Sequence, residues 1–254
     1  MKTIDLNADV GESFGAWRMG DDDAVIAAVS SVNIACGYHA GDPATMQRTV
    51  ALALAHGVAI GAHPSLPDLA GFGRREMKVT PDDVYGFVLY QIGALHGVAS
   101  AAGARLRHVK PHGALYNMAA RDRALAEAIA RAVHDFDRGL ILVGLAGSAS
   151  IDAAREAGLQ AVAEAFCDRR YRADGTLAPR GEPGAVIDDV DAAIAQALDI
   201  AARGEAAAIG GGRVAIAADT LCVHGDGPRA GELARRLRRA LEAAGIPVAV
   251  PALA

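Results

Sequence analysis

Residues 4–12 have the sequence IDLNADVGE, and this stretch decides the fold. Apolar residues alternate with Asp5, Asn7 and Asp9, which predicts a strand with one apolar face and one polar face. In a parallel β/α barrel the apolar face would pack on the helices and the polar face would point into the barrel. Polar groups in that place are costly unless they bond one another, a ligand or a metal. The alternative is an exposed edge strand, although the edges of sheets are normally paired or covered.

The strand signal recurs along the whole chain, in alternation with longer amphipathic segments. Regular βα alternation predicts a parallel sheet with crossover helices, and seven or eight such units predict an α/β protein with a closed (β/α) barrel. An open doubly wound sheet is the alternative. No linker or second core is visible, so residues 1–254 are predicted to form one domain. The predicted strands are 3–9, 31–36, 58–63, 107–111, 140–145, 161–167 and 214–223, with 246–250 as a candidate eighth; the predicted helices are 21–29, 43–56, 81–102, 121–134, 148–157, 189–203 and 229–244.

Composition and charge exclude several classes of protein. Hydrophobic residues make up 52% of the 254 residues, so the chain can bury a large core and is not a disordered protein. A net charge of -5 gives no general attraction to nucleic acid or to anionic membranes. The first residues lack the apolar stretch of a secretory signal, and no uninterrupted apolar run approaches the roughly 20 residues that cross a bilayer. Cys36, Cys167 and Cys222 form no CxxC pair, which favours reduced thiols in a cytoplasmic protein.

Polar and titratable side chains gather where the predicted strands end. His63 ends the third strand, and Lys110 and His112 end the fourth. In a β/α barrel the carboxyl ends of the strands form the mouth that carries active sites. Because several distant segments behave alike, we predict one shared polar site at this mouth. Its other predicted members, at the second, sixth and seventh strands, are Asn33, His39, Glu164, Asp168, His224 and Asp226.

Motifs for metals and nucleotides are weak in this sequence. Carboxylates and imidazoles at a barrel mouth can bind a divalent ion, but no compact ligand motif is present, so we expect no protein-bound metal. There is no GxxxxGK[ST] loop, and the glycines of residues 225–231 miss the dinucleotide-binding spacing by one residue. Those glycines favour a plain strand-to-helix turn. Arg74 and Arg75 follow a Gly-Phe-Gly sequence and are predicted to bind an anion, with a turn of solvated arginines as the alternative.

A long charged segment follows the sixth predicted strand. Residues 164–180 carry alternating charges in a stretch that is too long for a simple connection, which predicts a loop that covers the substrate. Solvated surface charge is the alternative interpretation. Cys36 and Cys167 lie near the predicted mouth, but neither has the surroundings of a nucleophile, and we expect both to be small buried residues.

Seven ordered sequence blocks give the chain a family resemblance. It resembles the LamB/YcsF family, the A subunits of 5-oxoprolinases, over essentially its whole length. The blocks are DLNADVGE at 5–12, NIACG at 33–37 with HAGD at 39–42, GAHPS at 61–65, GFGRR at 71–75, VKPHGALYN at 109–117, EAFCDR at 164–169 and ADTLCVHGD at 218–226.

The resemblance implies a fold, a reaction and partners. The implied fold is a β/α barrel of the glycoside hydrolase/deacetylase type. The implied reaction converts 5-oxoproline, ATP and water to glutamate, ADP and phosphate, and Mg²⁺ is the divalent cation expected to accompany the nucleotide. The resemblance also implies a cytoplasmic complex with B and C subunits.

The residues themselves suggest how the work could be divided. We assign Asp9 or Glu12, together with His63, to proton transfer and water activation. Lys110 and His112 would stabilise negative charge that develops on oxygen. Arg74 or Arg75 would hold the substrate carboxylate or a phosphate. Residues assigned to binding the substrate are Asp5, Asn7, Asn33, His39, Arg74, Arg75, Glu164, Asp168 and His224.

Two other classes of function remain open on the sequence. The acids and histidines at the mouth also suit a metal-dependent deacetylase or amidohydrolase that acts alone. The missing nucleotide motif also suits a non-catalytic component that only binds or regulates. Turnover that does not need ATP would distinguish a metal-dependent enzyme that acts alone from a component of a 5-oxoprolinase. Active-site variants that leave the activity of the assembled enzyme intact would identify a non-catalytic component.

Overall fold

A closed barrel of parallel strands forms the centre of the molecule. The computed structural model describes residues 3–225, 227 and 229–252. In this part of the chain seven strands form the barrel: β1 Asp5–Val10, β2 Ser31–Ala35, β3 Ala59–His63, β4 Leu106–Val109, β5 Ile141–Leu145, β6 Gln160–Phe166 and β9 Thr220–His224. They close in the order β1-β2-β3-β4-β5-β6-β9, so the predicted barrel is confirmed and the open sheet is wrong. The edge-strand alternative is also wrong, because β1 pairs with β2 on one side and with β9 on the other.

The helices lie outside the barrel and cover it. Several begin at the residue that the sequence favours, because a side chain there accepts the free backbone N–H groups of the first turn. Asp42 accepts from the backbone N of Thr45, and Thr80 and Asp83 form a capping box. The helices are α1 Asp22–Ile26, α2 Pro43–His56, α3 Pro81–Ala101, α4 Gly113–Arg121, α5 Arg123–Phe136, α6 Ala149–Glu156, α7 Val190–Arg203 and α8 Ala230–Ala243.

Two predicted boundaries are wrong for a local reason. Helix α4 was not predicted, and the helix predicted at 121–134 begins two residues later as α5. Asp122 separates the two helices: it ends α4 and accepts from the backbone N of Ala124 and Leu125 at the start of α5. Residues 121–123 are all charged and mark the start of α5, but α4 has 9 residues and begins close to the end of the fourth strand, so its periodic signal is short.

The end of the chain also departs from the prediction. The strand predicted at 214–223 is two strands, β8 Arg213–Ala215 and β9. Strand β8 leaves the barrel to pair in antiparallel fashion with β7 Glu205–Ala207, around the glycines at 210–212. No strand forms at 246–250 within the described residues; Val248 makes an isolated bridge to Ile4.

Helix α3 is long and apolar enough to span a membrane by length and composition. In this protein one face of the helix belongs to the core: Val84, Val88, Ile92 and Leu95 are fully buried, whereas Tyr90 on the same helix is 63% exposed. The same helix opens with acidic residues and a capping box. The apolar character of α3 is therefore explained by its packing on the barrel and the neighbouring helices.

Strand β1 shows how the fold positions a polar interior. Its side chains alternate as predicted: Leu6 and Ala8 belong to the apolar core, whereas Asp5, Asn7 and Asp9 are buried in a polar network. Burial without hydrogen bonds would be costly, and these three residues are all hydrogen-bonded to residues of other strands or of the segments that follow them. The interior next to β1 is therefore polar, although Ile141, Val143 and Val162 form a small apolar cluster that faces Asp5, Asn7 and Asn33.

Candidate active site

A cavity of about 640 Å³ opens at the carboxyl end of the barrel. This is the end at which β/α barrels carry their active sites. The residues that the sequence predicts for the site and that line this cavity are Asp9, His63, Arg74, Lys110, His112 and His224.

Lys110 occupies the centre of the cavity floor. Its Nζ lies 2.8 Å from Oδ1 of Asp9 and 2.8 Å from Oε1 of Glu164, and the side chain is 2% exposed. It also lies 3.1 Å from Sγ of Cys222. Burial by itself would lower the pKa of Lys110, but electrostatic interactions with Asp9, Cys222 and Glu164 raise that pKa well above its usual value. The lysine is therefore a fixed positive charge.

Asp9 is held as a carboxylate by its neighbours. Burial by itself would raise the pKa of Asp9, but His63 and Lys110 outweigh burial and hold it well below its usual value. Its Oδ1 accepts from Lys110 Nζ and from the side-chain amide of Asn33. Its Oδ2 lies 3.4 Å from Nε2 of His63. Asp9 is consequently a weak base and a strong hydrogen-bond acceptor at neutral pH.

Three residues predicted to bind substrate lie beneath the cavity instead. The side-chain amide of Asn7 donates to Glu164 and Thr220, and the amide of Asn33 donates to Asn7 and Asp9. Asp5 lies lower still, where it accepts from Ser31 and Thr220. None of the three lines the cavity. Asp5, Asn7 and Asn33 support the floor from below, and so does Glu164, which was also predicted to bind substrate but is fully buried and does not line the cavity.

His63 and His112 face each other above the floor. Nδ1 of His63 lies 2.7 Å from the carbonyl oxygen of Lys110, and Nε2 of His112 lies 2.8 Å from the carbonyl oxygen of Phe72. A carbonyl oxygen can only accept, so each of these two nitrogens carries a proton. The remaining nitrogens, Nε2 of His63 and Nδ1 of His112, lie 3.0 Å apart. Because burial, with the neighbouring histidines, holds the pKa of His112 well below its usual value, its ring is neutral and its N–H is taken by Phe72.

Glu12 and His39 lie behind this pair and outside the cavity wall. Oε1 of Glu12 lies 3.5 Å from Nε2 of His39 and 3.7 Å from Nδ1 of His112. The rings of His39 and His112 are stacked, with centroids 3.9 Å apart and planes within 6°. Within the described residues neither ring nitrogen of His39 has a hydrogen-bond partner.

This buried cluster could hold a metal ion. One ligand atom from each of Glu12, His39, His63 and His112 lies within 4.8 Å of the others, and all four residues are buried. Imidazole and carboxylate are ligands that zinc accepts. The expectation of no protein-bound metal rested on the absence of a compact motif; the four residues come from four separate segments that the barrel brings together.

The two neighbouring arginines have different places. Arg74 lines the cavity, and its guanidinium lies 4.8 Å from the centre of the Phe72 ring. Arg75 points away from the cavity, with 66% of its side chain exposed, and forms an ion pair with Asp68. The structure therefore brings Arg74 into the site and leaves Arg75 on the surface.

Asp168 and His224 form a pair at the rim. Nδ1 of His224 lies 2.7 Å from Oδ2 of Asp168, and the imidazole stacks on the ring of Phe166. Burial would raise the pKa of Asp168, but the charge and hydrogen bond of His224 lower it. Of the two, only His224 lines the cavity. The predicted member Asp226 lies outside the described residues.

The loop after β6 forms one wall of the cavity and adds residues that the prediction left without a role. Residues 172 and 174–181 line one wall, which places this loop where a substrate cover was predicted. Arg169 also lines the wall, although it is 5% exposed. Burial and the nearby Arg180 lower the pKa of Arg169 to about 10, and within the described residues its Nε has no hydrogen-bond partner. In the sequence these arginines resemble solvated charges, because nothing local shows that the loop folds over them.

Comparison with known proteins shows which family the chain belongs to. A family model described as the LamB/YcsF family matches residues 4–253. The chain belongs to the LamB/YcsF family. A relative in that family, the A subunit of the 5-oxoprolinase of Bordetella pertussis (strain Tohama I), is 62% identical over 245 residues, which are 96% of this chain and 97% of the relative.

Solved structures agree with this membership and with the fold. The lactam utilization protein from Thermus thermophilus is 53% identical, with a TM-score of 0.92 over 97% of this chain and 99% of that one. The T48 deacetylase is 15% identical, with a TM-score of 0.50 over 97% of this chain and 87% of that one, and shows the fold alone. The predicted deacetylase-like barrel is confirmed.

The LamB/YcsF site combines three chemical elements. Lys110 supplies a permanent positive charge on the floor, next to the carboxylate of Asp9. His63 supplies an imidazole nitrogen within reach of that carboxylate. Arg74 and Arg169 supply guanidinium groups on the walls. Such a site can bind an anionic substrate, stabilise charge on oxygen and move protons.

Proposed function

We propose that this chain is the A subunit of an ATP-dependent 5-oxoprolinase. The assembled enzyme would open the lactam of 5-oxo-L-proline to L-glutamate and convert ATP to ADP and phosphate, with Mg²⁺ bound to the nucleotide. The B and C subunits would be its partners. The observation that carries the proposal is the convergence of Asp9, His63, Lys110 and arginine side chains on one cavity. The relatives, which are named as 5-oxoprolinase A subunits and as a lactam utilization protein, support the same reaction.

The chemistry of the substrate explains why ATP is needed. A five-membered lactam has little ring strain and a resonance-stabilised amide, so water attacks it slowly. Transfer of the γ-phosphoryl group to the lactam oxygen gives ADP and an imidate-like phosphate, whose carbon is a better electrophile. Addition of water to this carbon, followed by cleavage of the ring C–N bond with protonation of nitrogen, gives an acyl phosphate. A second water releases phosphate and leaves glutamate.

The floor of the cavity suits the addition of water. Lys110, with its raised pKa, would stabilise negative charge on oxygen as a fixed cation. Asp9, Glu12 and His63 would position the water and accept its proton, with Asp9 acting mainly through its 3.4 Å approach to His63 because its own pKa is lowered. His112 has its N–H bound to Phe72, so it would act on His63 rather than on the substrate oxygen.

The walls suit the anionic groups of the substrate. 5-Oxoproline carries a carboxylate, and the activated lactam carries a phosphate in addition. Arg74 and Arg169 line the cavity, and guanidinium groups bind carboxylate and phosphate through paired N–H donors. Arg169 is a buried cation beside Arg180, an arrangement that an anionic ligand would relieve.

Glutamate release from 5-oxoproline tests the proposal. The chain is combined with the B and C subunits, and release is measured with each component omitted in turn and with ATP omitted. We expect no release in any omission. Asp9→Asn and His63→Ala should lower kcat in the complete complex by about 100-fold or more, which is the contribution of general acid–base catalysis. Asp23→Asn, at an exposed position on α1, is the control.

Three outcomes would contradict the proposal. Turnover by the chain alone without ATP would make it a free-standing amidohydrolase or deacetylase. Full activity of Asp9→Asn and His63→Ala, with activity lost when the whole chain is omitted, would make it a non-catalytic binding component. Release without the chain would remove it from the reaction.

A further inference from the structure

The arrangement of His63 and His112 requires a positive species between them. Each ring donates one N–H to a backbone carbonyl, of Lys110 and of Phe72 respectively. The nitrogens that remain, 3.0 Å apart, therefore both present lone pairs to each other when the rings are neutral. Two lone pairs at this distance repel unless a proton or a metal ion lies between them.

The surroundings favour a metal ion. Histidine ligands characteristically donate their second N–H to a backbone carbonyl or carboxylate, which fixes the ring and the tautomer, and both His63 and His112 do so. The rings are nearly perpendicular, at 83°, so their planes intersect and one point can lie in both. A carboxylate is also close: Oε1 of Glu12 lies 3.7 Å from Nδ1 of His112. All three residues are at most 6% exposed.

His39 is excluded as a ligand by its orientation. Its ring is stacked on that of His112 with the planes within 6° and the centroids 3.9 Å apart. A ligand lone pair lies in the plane of its ring, so one ion cannot lie in both of these planes. Nε2 of His39 lies 3.5 Å from Oε1 of Glu12, where an N–H would orient the carboxylate.

We propose that Glu12, His63 and His112 bind one divalent ion of the zinc type. Two imidazoles and one carboxylate are a ligand set of catalytic zinc sites, which keep a further position open for water. His63 and His112 line the cavity, so the open position would face the substrate. Mg²⁺ prefers oxygen ligands and would not bind here. With the ion bound, Glu12 and His63 would hold it instead of acting as the bases described above, and the ion would lower the pKa of a bound water, which is the activation that the proposed function needs.

Metal binding by the full chain tests the inference without an activity assay. The purified chain is freed of metal with a chelator and titrated with Zn²⁺ by calorimetry and with Co²⁺ by visible absorption. We expect one ion per chain, ligand-field bands without thiolate charge transfer, and no competition from Mg²⁺. Glu12→Gln and His112→Gln should each weaken Zn²⁺ binding by more than about 100-fold, since loss of an outer-shell partner alone costs about 10–100-fold. His39→Gln should weaken it less.

Control variants separate this site from a rival site and from a loss of folding. His134→Asn, near the surface end of α5, should leave affinity unchanged. Cys222→Ser tests the rival group of Asp9, Cys222 and His224, and should also leave affinity unchanged. Far-ultraviolet circular dichroism and thermal unfolding show whether each variant is folded.

The inference is overturned if the folded chain takes up no stoichiometric Zn²⁺, which would leave a shared proton between the histidines. It is equally overturned if Glu12→Gln and His112→Gln bind as tightly as the parent, or if Cys222→Ser abolishes binding. Only the catalytic role of the ion rests on the proposed function; the metal site itself does not. Failure of metal binding would leave the 5-oxoproline assay unaffected, and failure of that assay would leave the metal titration unaffected.

Discussion

Nζ of Lys110 lies 2.8 Å from Oε1 of Glu164 in the interior of the barrel, and both side chains are at most 2% exposed. Asp9 completes the group at the same distance from Nζ. One cation thus holds two carboxylates that are shielded from water. A buried ion pair adds little net stability, but removal of one partner is expensive because it leaves charge without compensation.

Lys110→Met should therefore destabilise the protein and abolish its activity. We expect the free energy of unfolding to fall by about 3–5 kcal/mol, as for other buried pairs that lose one partner. Urea denaturation followed by circular dichroism measures the change. The double variant Lys110→Met/Glu164→Gln should recover part of the stability, because one uncompensated carboxylate is gone, but none of the activity.

Lys78→Met is the matched control for this prediction, since Lys78 is exposed. It should change the free energy of unfolding by no more than about 0.5 kcal/mol. If Lys110→Met kept the stability and turnover of the parent, the buried cation would have neither of the roles given to it.

Arg74 and Arg75 provide an internal comparison. Both residues are exposed, but Arg74 lines the cavity, whereas Arg75 does not and is paired with Asp68. Arg74→Gln should raise the KM for 5-oxoproline in the complete complex by roughly tenfold or more, since a hydrogen bond to a charged group contributes about 1.5–3 kcal/mol. Arg75→Gln should leave both kcat and KM near those of the parent. Steady-state kinetics of the two variants side by side measure the difference, and equal effects would refute the assignment.

The general fold could be read from local sequence signals. Alternation in β1 gives the direction of its side chains, and the helix starts at Asp42 and Thr80 are set by capping chemistry within a few residues. Each of these signals is local, so it can be interpreted without knowledge of the rest of the chain. Helix α4 was missed because its 9 residues give only a short periodic signal, close to the end of the fourth strand.

The position of each residue along the barrel axis could not be predicted from these local signals. Asp5 and Asp9 are on the same face of β1, yet one lies at the base and the other lines the cavity, as the pairing of β1 with β2 and β9 dictates. The approach of Glu12 to His39 and His112 depends on three loops at once. His108 was not assigned to the site, but its ring donates to Asn33 within the polar interior.

Gly73 keeps the histidine cluster in place, and replacing it should impair activity. A Cβ at this position would overlap Oγ of Ser65 and would lie 2.8 Å from Cδ2 of His112 and 2.9 Å from Cβ of His39. Its φ of +64° also disfavours any side chain. We expect Gly73→Ala to lower turnover at least about tenfold, because a 1 Å displacement of a catalytic group can cost on the order of 100-fold.

Gly57→Ala is the control that separates backbone strain from steric contact. Gly57 has almost the same φ, +65°, but no atom would lie within 4 Å of an added Cβ. Gly57→Ala should lose about 1 kcal/mol of stability from backbone strain, and Gly73→Ala should lose more because the added Cβ also overlaps its neighbours. Only Gly73→Ala should lose activity and, on the metal proposal, Zn²⁺ affinity. Similar activity of the two alanine variants would show that the contact with the histidines has no consequence.

His108 should make the stability of the fold depend on pH. Burial is the main cause, followed by the charge of Lys110, and together they lower the pKa of His108 to about 3. In the unfolded chain histidine titrates near about 6.5. Between these two values the unfolded state binds a proton that the folded state does not, so the free energy of unfolding falls as the pH falls, by about 1.4 kcal/mol per pH unit.

His108→Gln should remove the contribution of one titrating histidine to the pH dependence of the free energy of unfolding. The glutamine amide can still donate to Oδ1 of Asn33, so the polar interior keeps its hydrogen bond. Urea denaturation of the chelator-treated chain at several pH values from about 7 to about 5 measures how steeply the free energy of unfolding depends on pH. His39 and His112 also contribute to this dependence, because their pKa values are lowered in the folded protein. His96→Gln, at an exposed position on α3, should leave the slope of the parent unchanged. If His108→Gln kept the full slope, His108 would carry its proton in the folded barrel, and the interior would be more open to water than its burial indicates.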